Sequence, residues 1–219
     1  MAFNNAVNAS TSGFQSLSSS GQWNGRSLVA GSGISITNAD GTAGNPTISY
    51  TGSAVQTFTF ISTLTASTSA NLTFTSIANT YKAYRFTLNN LVFSASPTLN
   101  VSLSVDNFST TETINGTLIQ TFCKTTVPVQ FATSGTTFPL VGALGGGHVS
   151  GYLDLLSPAT SANQAMMQWL IGNADSATVT AYGAQGFAND SVVNAVNAIK
   201  FVPSTGTITS GTISMYGIS

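Results

Sequence analysis

The segment "TLNVSLSVD", Thr98–Asp106, has the clearest secondary-structure pattern in the chain. Its apolar residues alternate with polar ones and so share one face of an extended strand: Leu99, Val101, Leu103 and Val105. A strand with one apolar face is typical of an antiparallel sheet that covers a core on one side. The segment therefore predicts one strand of a layered, all-β domain.

Further strand signals occur on both sides of this strand, with turn residues between them. They predict further strands at residues 55–60, 71–76, 81–93, 127–131, 148–156, 164–172, 177–183, 198–202 and 211–218. Many short strands at this spacing predict an antiparallel, jelly-roll-type β-sandwich over residues 53–219.

Two segments depart from this pattern. In 81–93 Tyr84, Phe86 and Leu88 alternate with polar residues, and this alternation breaks at Asn89-Asn90. Residues 189–199 instead have apolar residues at the period of a helix, and they predict at most one short helix. The rest of the chain predicts no helix of useful length.

Composition supports a β-protein and excludes two classes of partner. Charged residues make up 5% of the 219 residues, against about 25% in typical soluble proteins, and Ser, Thr, Asn and Gly take their place. These residues favour turns and pleated surfaces. The net charge is −1 and the 5 Lys and Arg residues are scattered, which predicts no nucleic-acid partner. No apolar run approaches the ~20 residues needed to span a bilayer, so no membrane insertion is predicted.

The cellular compartment follows from the first residues and from cysteine usage. Residues 1–25 contain neither a basic start nor an apolar stretch, so they do not predict Sec export. Cys123 is the only cysteine, which excludes an intramolecular disulfide. We therefore expect synthesis in a reducing cytoplasm and a fold that is stable without crosslinks.

The first part of the chain has too few large apolar residues for a core of its own. In "LVAGSGISITNADGTAGNPTISYTG", residues 28–52, Ile34 and Ile36 alternate with polar residues, as do Ile48 and Tyr50 after a turn-rich loop. This pattern predicts a short hairpin with one apolar face. Because such a face buries little alone, we expect it to pack against other copies of the chain.

Three segments are predicted from these patterns: an extended attachment segment at 1–27, a short β trimerisation element at 28–52, and a β-sandwich knob at 53–219. The residues expected to carry attachment and trimerisation are Phe3, Phe14, Trp23, Ile34, Ile36 and Ile48. Trp23 is a suitable anchor for another chain or for a partner particle, because buried tryptophans contribute strongly to interfaces.

Candidates for catalysis and metal binding are few. His148 is the only histidine, and Asp154 lies six residues further on, but the chain has no nucleophile-elbow pattern. Three copies of His148 on a threefold axis could bind one metal ion. Asn38, Asp40 and Thr42 have the spacing of an oxygen-rich loop but lack the ligands of a calcium site, so they predict a plain turn. We therefore expect no enzyme and no cofactor.

Acidic and aromatic residues are the candidates for glycan hydrolysis and glycan binding. Glycoside hydrolysis needs two carboxyl groups across a groove, and the acidic residues are isolated in sequence: Asp40, Asp106, Glu112, Asp154, Asp175 and Asp190. Asp154 is unusual because it lies within a strand pattern. Tyr152, Tyr182 and Tyr216 could stack on sugar rings, but a position on the outer face or at the rim of the sandwich is favoured for each of them. Trp169 is predicted to be a core residue.

Two ends of the chain resemble bacteriophage proteins. Residues 28–50 are similar to a segment of tail-fibre and virion-appendage proteins of the form "AGxGIxIxNxDGxxGNPxIS". Residues 199–219 resemble the closing strands of a phage-associated β-sandwich that typically ends in "GxIxxGxIxLYGI", with Met215 where leucine is usual. "YKAYRFTLNNL", residues 81–91, is similar to the early "YxxYxLxLxNL" strand of that domain. The middle of the sandwich has no counterpart in the resemblance.

The resemblance implies a homotrimeric virion appendage, a fibre or spike whose C-terminal knob adheres to a host-surface glycan or protein without catalysis. Its N-terminus would bind other virion proteins, and lysis would release it without a signal peptide. One alternative is a capsid-bound head fibre or decoration protein that docks through residues 1–25. A glycan depolymerase is a further alternative, which the dispersed acids disfavour. No receptor-binding residue is assigned, although the loops expected at 105–116 and 135–148 are suggested locations.

Overall fold

The computed structural model describes residues 14–17, 23–41, 43–52, 57–122, 129–142, 147–158, 162–175 and 180–219. Within these residues the chain forms sixteen strands and no helix, so the all-β prediction is confirmed. The chain divides into two compact units, Met1–Val55 and Gln56–Ser219, which are described separately.

The first unit contains two antiparallel hairpins. Strand β1 (Phe14–Leu17) pairs with β2 (Trp23–Arg26), and β3 (Ile34–Thr37) pairs with β4 (Thr47–Tyr50). A turn follows β3, in which the Gly41 backbone N–H donates to the Asn38 carbonyl oxygen at 2.9 Å. Asn38 has a φ of 54°, a left-handed conformation that asparagine tolerates well. The predicted hairpin is therefore present, and a plain turn follows its first strand.

The second unit contains the remaining strands: β5 (Phe58–Thr65), β6 (Leu72–Phe74), β7 (Ala83–Phe93), β8 (Leu99–Ser104), β9 (Ile114–Phe122), β10 (Val129–Gly135), β11 (Phe138–Val141), β12 (His148–Leu156), β13 (Met166–Asp175), β14 (Thr180–Asp190), β15 (Ala198–Pro203) and β16 (Ile208–Ile218). They form an eight-stranded sheet in the order β10-β9-β14-β13-β12-β7-β16-β5 and a four-stranded sheet in the order β11-β8-β15-β6.

Eight of these strands form a jelly roll. In the large sheet β5 pairs with β16, and β7 pairs with both β16 and β12. In the small sheet β6 pairs with β15, and β8 pairs with both β15 and β11. The first four strands thus run antiparallel to the last four as one long hairpin that is rolled into two sheets, which is the jelly-roll arrangement. The predicted fold class is confirmed.

The other four strands widen the large sheet. The β9–β10 hairpin leaves the roll between β8 and β11, and β13–β14 leaves it between β12 and β15. Strand β13 pairs with β12, and β14 joins β13 to β9. The large sheet therefore extends well beyond the strands of the jelly roll, and its outer face is correspondingly broad.

The core lies between the two sheets. Phe86 of β7 is fully buried and packs edge-on against Phe74 of β6, with ring centroids 5.2 Å apart. Its centroid also lies 5.7 Å from that of Phe201 of β15. Aromatic pairs at these distances add to the free energy of area burial, so this cluster joins the two layers.

Trp169 extends the core beneath the added strands. It is buried, its indole N–H donates to the Leu140 carbonyl oxygen at 2.9 Å, and its ring packs against Phe138 with centroids 5.5 Å apart. A side chain at Gly186 would collide with the Trp169 ring, so this position requires glycine. The prediction that Trp169 is a core residue is confirmed.

The break in the apolar alternation at Asn89-Asn90 corresponds to a β-bulge in the structure. Strand β7 continues to Phe93, and a β-bulge with Asn90 at a φ of 52° shifts its register against β16. The bulge restores the inward orientation, so that Leu88 and Leu91 are both buried although they are three residues apart. Gly211 of β16 lies opposite with a φ of 101°, where a side chain would collide with the Asn90 carbonyl.

The possible helix in 189–199 is absent from the described structure. The chain leaves β14 at Asp190 and reaches β15 at Ala198 through bends and extended residues. Its backbone is bound from outside: the Val196 N–H donates to the Pro158 carbonyl at 2.7 Å, and the Asn197 N–H to the Ser104 carbonyl at 2.9 Å. Valine has restricted rotamers in a helix, so these longer-range hydrogen bonds prevail over its apparent period.

The suggested receptor loop at 135–148 is wrong for its central part, because residues 138–141 form strand β11 of the small sheet. Phe138 is fully buried in that strand. Pro139 is tolerated because β11 lies at the sheet edge. Just after β11, the buried Gln120 side chain accepts from the Gly142 N–H at 2.9 Å and donates to its carbonyl at 3.1 Å.

Candidate functional site

Two surfaces combine exposed apolar groups with a defined geometry, one in each unit. The first is the apolar face of the β3–β4 hairpin. Ile34 lies opposite Tyr50, and Ile36 lies opposite Ile48, so all four side chains share one face. Ile48 is 64% exposed and Tyr50 is 66% exposed in the single chain. The predicted apolar face is therefore present, and the chain itself leaves much of it uncovered.

An isolated two-stranded hairpin is marginally stable in water at best. The β3–β4 ladder is extended by the Thr51 N–H, which donates to the Gly33 carbonyl at 2.8 Å. Before the hairpin, the Leu28 N–H donates to the carbonyl of Ala39, in the turn after β3, at 2.8 Å. These bonds hold the segment in one shape, but they add no cover to the apolar face. The adjoining Val29 is also exposed.

The predicted attachment residues are only partly described. Phe3 lies outside the described residues. Phe14 and Trp23 begin strands β1 and β2, where Phe14 lies opposite Arg26 and Trp23 lies opposite Leu17, but their side chains lie outside the described part. Attachment through residues 1–27 therefore stays a prediction.

The second surface is the outer face of the large sheet. Cross-strand pairing places five outward side chains in one row from β16 to β14: Tyr216, Arg85, Asp154, Gln168 and Phe187. Phe60 of the edge strand β5 continues the row beyond Tyr216, and the two rings pack edge-on with centroids 5.7 Å apart. Residues far apart in sequence thus meet along a line perpendicular to the strands.

An ion pair holds the middle of this row. The Arg85 Nε and Nη2 groups donate to the two Asp154 carboxylate oxygens, each at 2.6 Å. This hydrogen bonding with Asp154 raises the pKa of the Arg85 guanidinium. The Asp154 side chain is nearly buried, whereas Arg85 is partly exposed. Asp154 lies within a strand, as the sequence pattern predicted, and the Arg85 guanidinium neutralises its charge.

Aromatic rings lie on either side of the guanidinium. The Arg85 Cζ atom lies 4.3 Å from the centroid of the Tyr152 ring and 5.0 Å from that of Phe58. Cation–π contacts of this kind fix the position of a ring on a surface. The Gln168 side-chain N–H also approaches an Asp154 oxygen at 3.4 Å. Tyr152 and Gln168 are therefore oriented by the ion pair.

Two grooves lie on the outer face beside Phe187. The first, of about 320 Å³, runs along β13 between Tyr152 and Phe187 and includes Gln168, Leu170 and Gln185. The second, of about 500 Å³, lies toward the end of β14, where its lining includes Asn163, Gln164, Met166, Phe187 and Asn189. Phe187 is 63% exposed and lines both grooves.

Two of the three tyrosines for which an outer-face position was favoured lie there. Tyr152 and Tyr216 both lie on the outer face of the large sheet, on either side of Arg85. The Tyr182 side chain lies outside the described part. The sequence pattern did not indicate Arg85, Gln168, Gln185 or Phe187, because nothing in it shows that three different strands bring these residues together.

His148 and Asp154 do not form a catalytic pair. Both lie on the outer side of β12, six residues apart, which separates them by about 20 Å along an extended strand. Among the described residues no group of three or more potential metal ligands occurs. Metal binding by His148 from three copies stays a prediction. Cys123 and Thr42 lie outside the described residues.

The suggested receptor loop at 105–116 is held by its own side chains up to the start of β9. Asp106 accepts hydrogen bonds from the Thr110 N–H at 2.8 Å, the Thr110 hydroxyl at 2.7 Å and the Ser104 hydroxyl at 2.8 Å. These bonds, led by the one from the Thr110 backbone, lower the pKa of Asp106. Hydrogen bonds from its own residues therefore hold this loop in a defined conformation.

The pKa of Asp190, at the end of β14, is raised, whereas that of Asp106 is lowered. The Asp190 side chain is fully buried, and its Oδ2 atom has no hydrogen-bond partner among the described residues. Burial raises its pKa, and the nearby charge of Glu112 raises it further. These two carboxyl groups interact, but Asp190 is inaccessible, so they do not form the open pair that glycoside hydrolysis requires.

Comparisons with protein families, curated proteins and solved structures found no significant match for this chain. Among the described residues, no helix has the length and apolar character needed to cross a membrane. The jelly-roll fold, the apolar hairpin face and the outer sheet face are therefore the features that bear on function.

Proposed function

We propose that this protein is a structural appendage of a bacteriophage virion, a homotrimer assembled through its β3–β4 hairpin that adheres to the host surface through its C-terminal β-sandwich. The observation that carries the proposal is the apolar face of the β3–β4 hairpin, on which Ile48 is 64% exposed and Ile34 and Ile36 are only half-buried. Two further copies around a threefold axis would cover this face, and the motif that resembles phage fibres is the same segment.

The sandwich suits the second half of this function. Its broad outer sheet face carries exposed aromatic rings and an internally neutralised ion pair. Among the described residues no catalytic constellation accompanies them, which supports adhesion over turnover. The protein would be made in the host cytoplasm and incorporated into the virion, where residues 1–27 would bind other virion proteins.

The native mass of the purified full chain tests this proposal, beside that of a chain shortened to residues 53–219. We expect the full chain at three times its 22.4 kDa mass, and the shortened chain at a lower oligomeric state. A monomeric full chain would overturn the trimeric appendage. Labelled full-length protein should also decorate cells of a susceptible host, and absence of decoration would overturn the adhesive role.

A further inference from the structure

We propose that the two grooves beside Phe187 form one binding site for a neutral oligosaccharide. The inference rests on the adhesive function proposed above and names its ligand class and its residues. It starts from Phe187, a phenyl ring that is 63% exposed at the boundary of both grooves. A single exposed apolar residue is ordinary, so the argument depends on what surrounds it.

Amide side chains surround the ring. Gln168 and Gln185 line the first groove, and Asn163, Gln164 and Asn189 line the second. Amide side chains carry donors as well as acceptors, so a group of them can match the paired hydroxyl groups of a sugar. An aromatic ring matches the apolar face of a pyranose. A pocket with apolar walls and a few placed polar groups is the usual form of a small-ligand site.

The amides are held in place before any ligand arrives. Both N–H groups of Asn189 are used, since its Nδ2 donates to Gln164 Oε1 at 3.0 Å and to the Asp190 carbonyl at 2.9 Å. Gln164 in turn donates to the Ser191 carbonyl at 3.2 Å. In the described part of the chain nothing donates to Asn189 Oδ1, so this oxygen can accept from a hydroxyl group. Fixed partners reduce the entropy lost on binding.

The charge of the surface selects a neutral ligand. The described lining of the two grooves contains no Lys, Arg, Asp or Glu. The nearest charged pair is neutral overall, because the Arg85 guanidinium donates to both carboxylate oxygens of Asp154. Tight binding of sialic acid, sulfate or phosphate groups would require a cation whose charge is not already neutralised by a carboxylate. An anionic sugar is therefore disfavoured.

The dimensions fit a chain of sugar units. Tyr152 of β12 and Phe187 of β14 are separated by two strand spacings across the sheet, about 9.6 Å, and by two residues along the strands, about 7 Å. The resulting diagonal of about 12 Å accommodates one sugar ring above Gln168 and Leu170. The second groove continues past Phe187. A protein partner is less suited to this surface, because Gln168 separates Met166 from Leu170 along β13 and divides the apolar area.

A glycan array tests the proposal with the full-length protein and two matched variants. The array carries neutral mono- to tetrasaccharides of glucose, galactose, mannose, N-acetylglucosamine and rhamnose, with sialylated and sulfated probes beside them. Phe187→Ala removes the central ring. Phe60→Ala is the control, because Phe60 is 59% exposed on the same sheet face but lies at the other edge. Native mass and thermal unfolding of each variant confirm assembly and folding.

We expect neutral probes of two or more units to bind more tightly than single sugars. Phe187→Ala should weaken binding about tenfold, and Phe60→Ala should change it by less than about twofold. Binding restricted to anionic probes, or an equal loss in both variants, would overturn the proposal. A changed native mass in Phe187→Ala would show that the surface contacts a second copy instead.

Failure of this inference and failure of the proposed function are distinguishable. A trimer that decorates host cells but binds no neutral probe leaves the appendage intact and overturns the glycan site. A monomeric chain that neither decorates cells nor binds any probe overturns both. A trimer whose cell decoration survives Phe187→Ala unchanged also overturns the assignment of this site.

Discussion

The β3–β4 hairpin and strand β8 have the same alternating sequence pattern but opposite surroundings. In β8 the apolar residues Leu99, Val101 and Leu103 are fully buried, because the large sheet covers the small one. In the hairpin, Ile48 remains 64% exposed although it belongs to an equally regular face. Alternation therefore identifies an apolar face, but it does not indicate which partner covers that face. In the sandwich the partner is the same chain, and for the hairpin we propose sister chains.

The largest effect is expected from a substitution on the apolar face of the β3–β4 hairpin, which should leave the sandwich unaffected. Ile48→Asp should abolish the proposed trimer, because each of its three copies would lose about 2 kcal/mol of apolar burial and would add a charge near the proposed axis. Native mass measures this loss, and the thermal unfolding of the sandwich should stay unchanged. Ser49→Asp is the control, since Ser49 is the neighbouring residue on the opposite face of β4. Equal dissociation by both variants would contradict the assigned interface face.

The next effect is the converse substitution in the sandwich core. Phe86→Ala should lower the free energy of unfolding by about 3–5 kcal/mol, because it leaves a cavity between the rings of Phe74 and Phe201. Denaturant titration of the sandwich measures it. Phe60→Ala should cost far less, since that ring is largely in water. A core that tolerates Phe86→Ala would show that the two sheets do not depend on this cluster.

A smaller effect is expected at the ion pair of the outer face. Arg85→Met should lower the free energy of unfolding by about 2 kcal/mol, because Asp154 stays nearly buried without its cation. The partial exposure of Arg85 keeps the cost below that of a fully buried pair. Lys200→Met is the control: Lys200 lies over the Phe108 ring at 4.3 Å but forms no salt bridge in the described residues. Equal unfolding free energies for the two variants would contradict this role.

The smallest effect is a pH dependence within the sandwich. The raised pKa of Asp190 means that the folded state holds this proton more tightly than the unfolded state. Its contribution to stability is complete below the unfolded-state pKa and is lost as pH rises through the folded-state value. Asp190→Asn should therefore raise the Tm at pH 7 by at most about 2–4 °C, with little change at pH 3.5.

Asp106 provides the control of opposite sign. Its pKa is lowered, so its contribution is present above the unfolded-state value and is lost as pH falls through the folded-state value. Asp106→Asn should lower the Tm at pH 7, and the deficit should shrink at low pH. The same pH trend in both variants would contradict these two assignments.

Much of the sandwich was predictable from local pattern, but two of its strands were not. In β9 the core-facing positions include Gly116 and Gln120, so the apolar alternation is invisible in the sequence. Gln120 is buried because it binds both backbone groups of Gly142, a longer-range contact. In β11 Pro139 opposes a strand prediction, and only the edge position of the strand accommodates it.

The sequence by itself determined the all-β class, the face of the hairpin and the burial of Trp169, because alternation and residue type act locally along the chain. Only the tertiary structure decided that Arg85 pairs with Asp154 and that Phe187 borders two grooves. These side chains come from strands that are distant in sequence, and cross-strand register alone aligns them. Register depends on the packing of all neighbouring strands together, so no local stretch of sequence contains it.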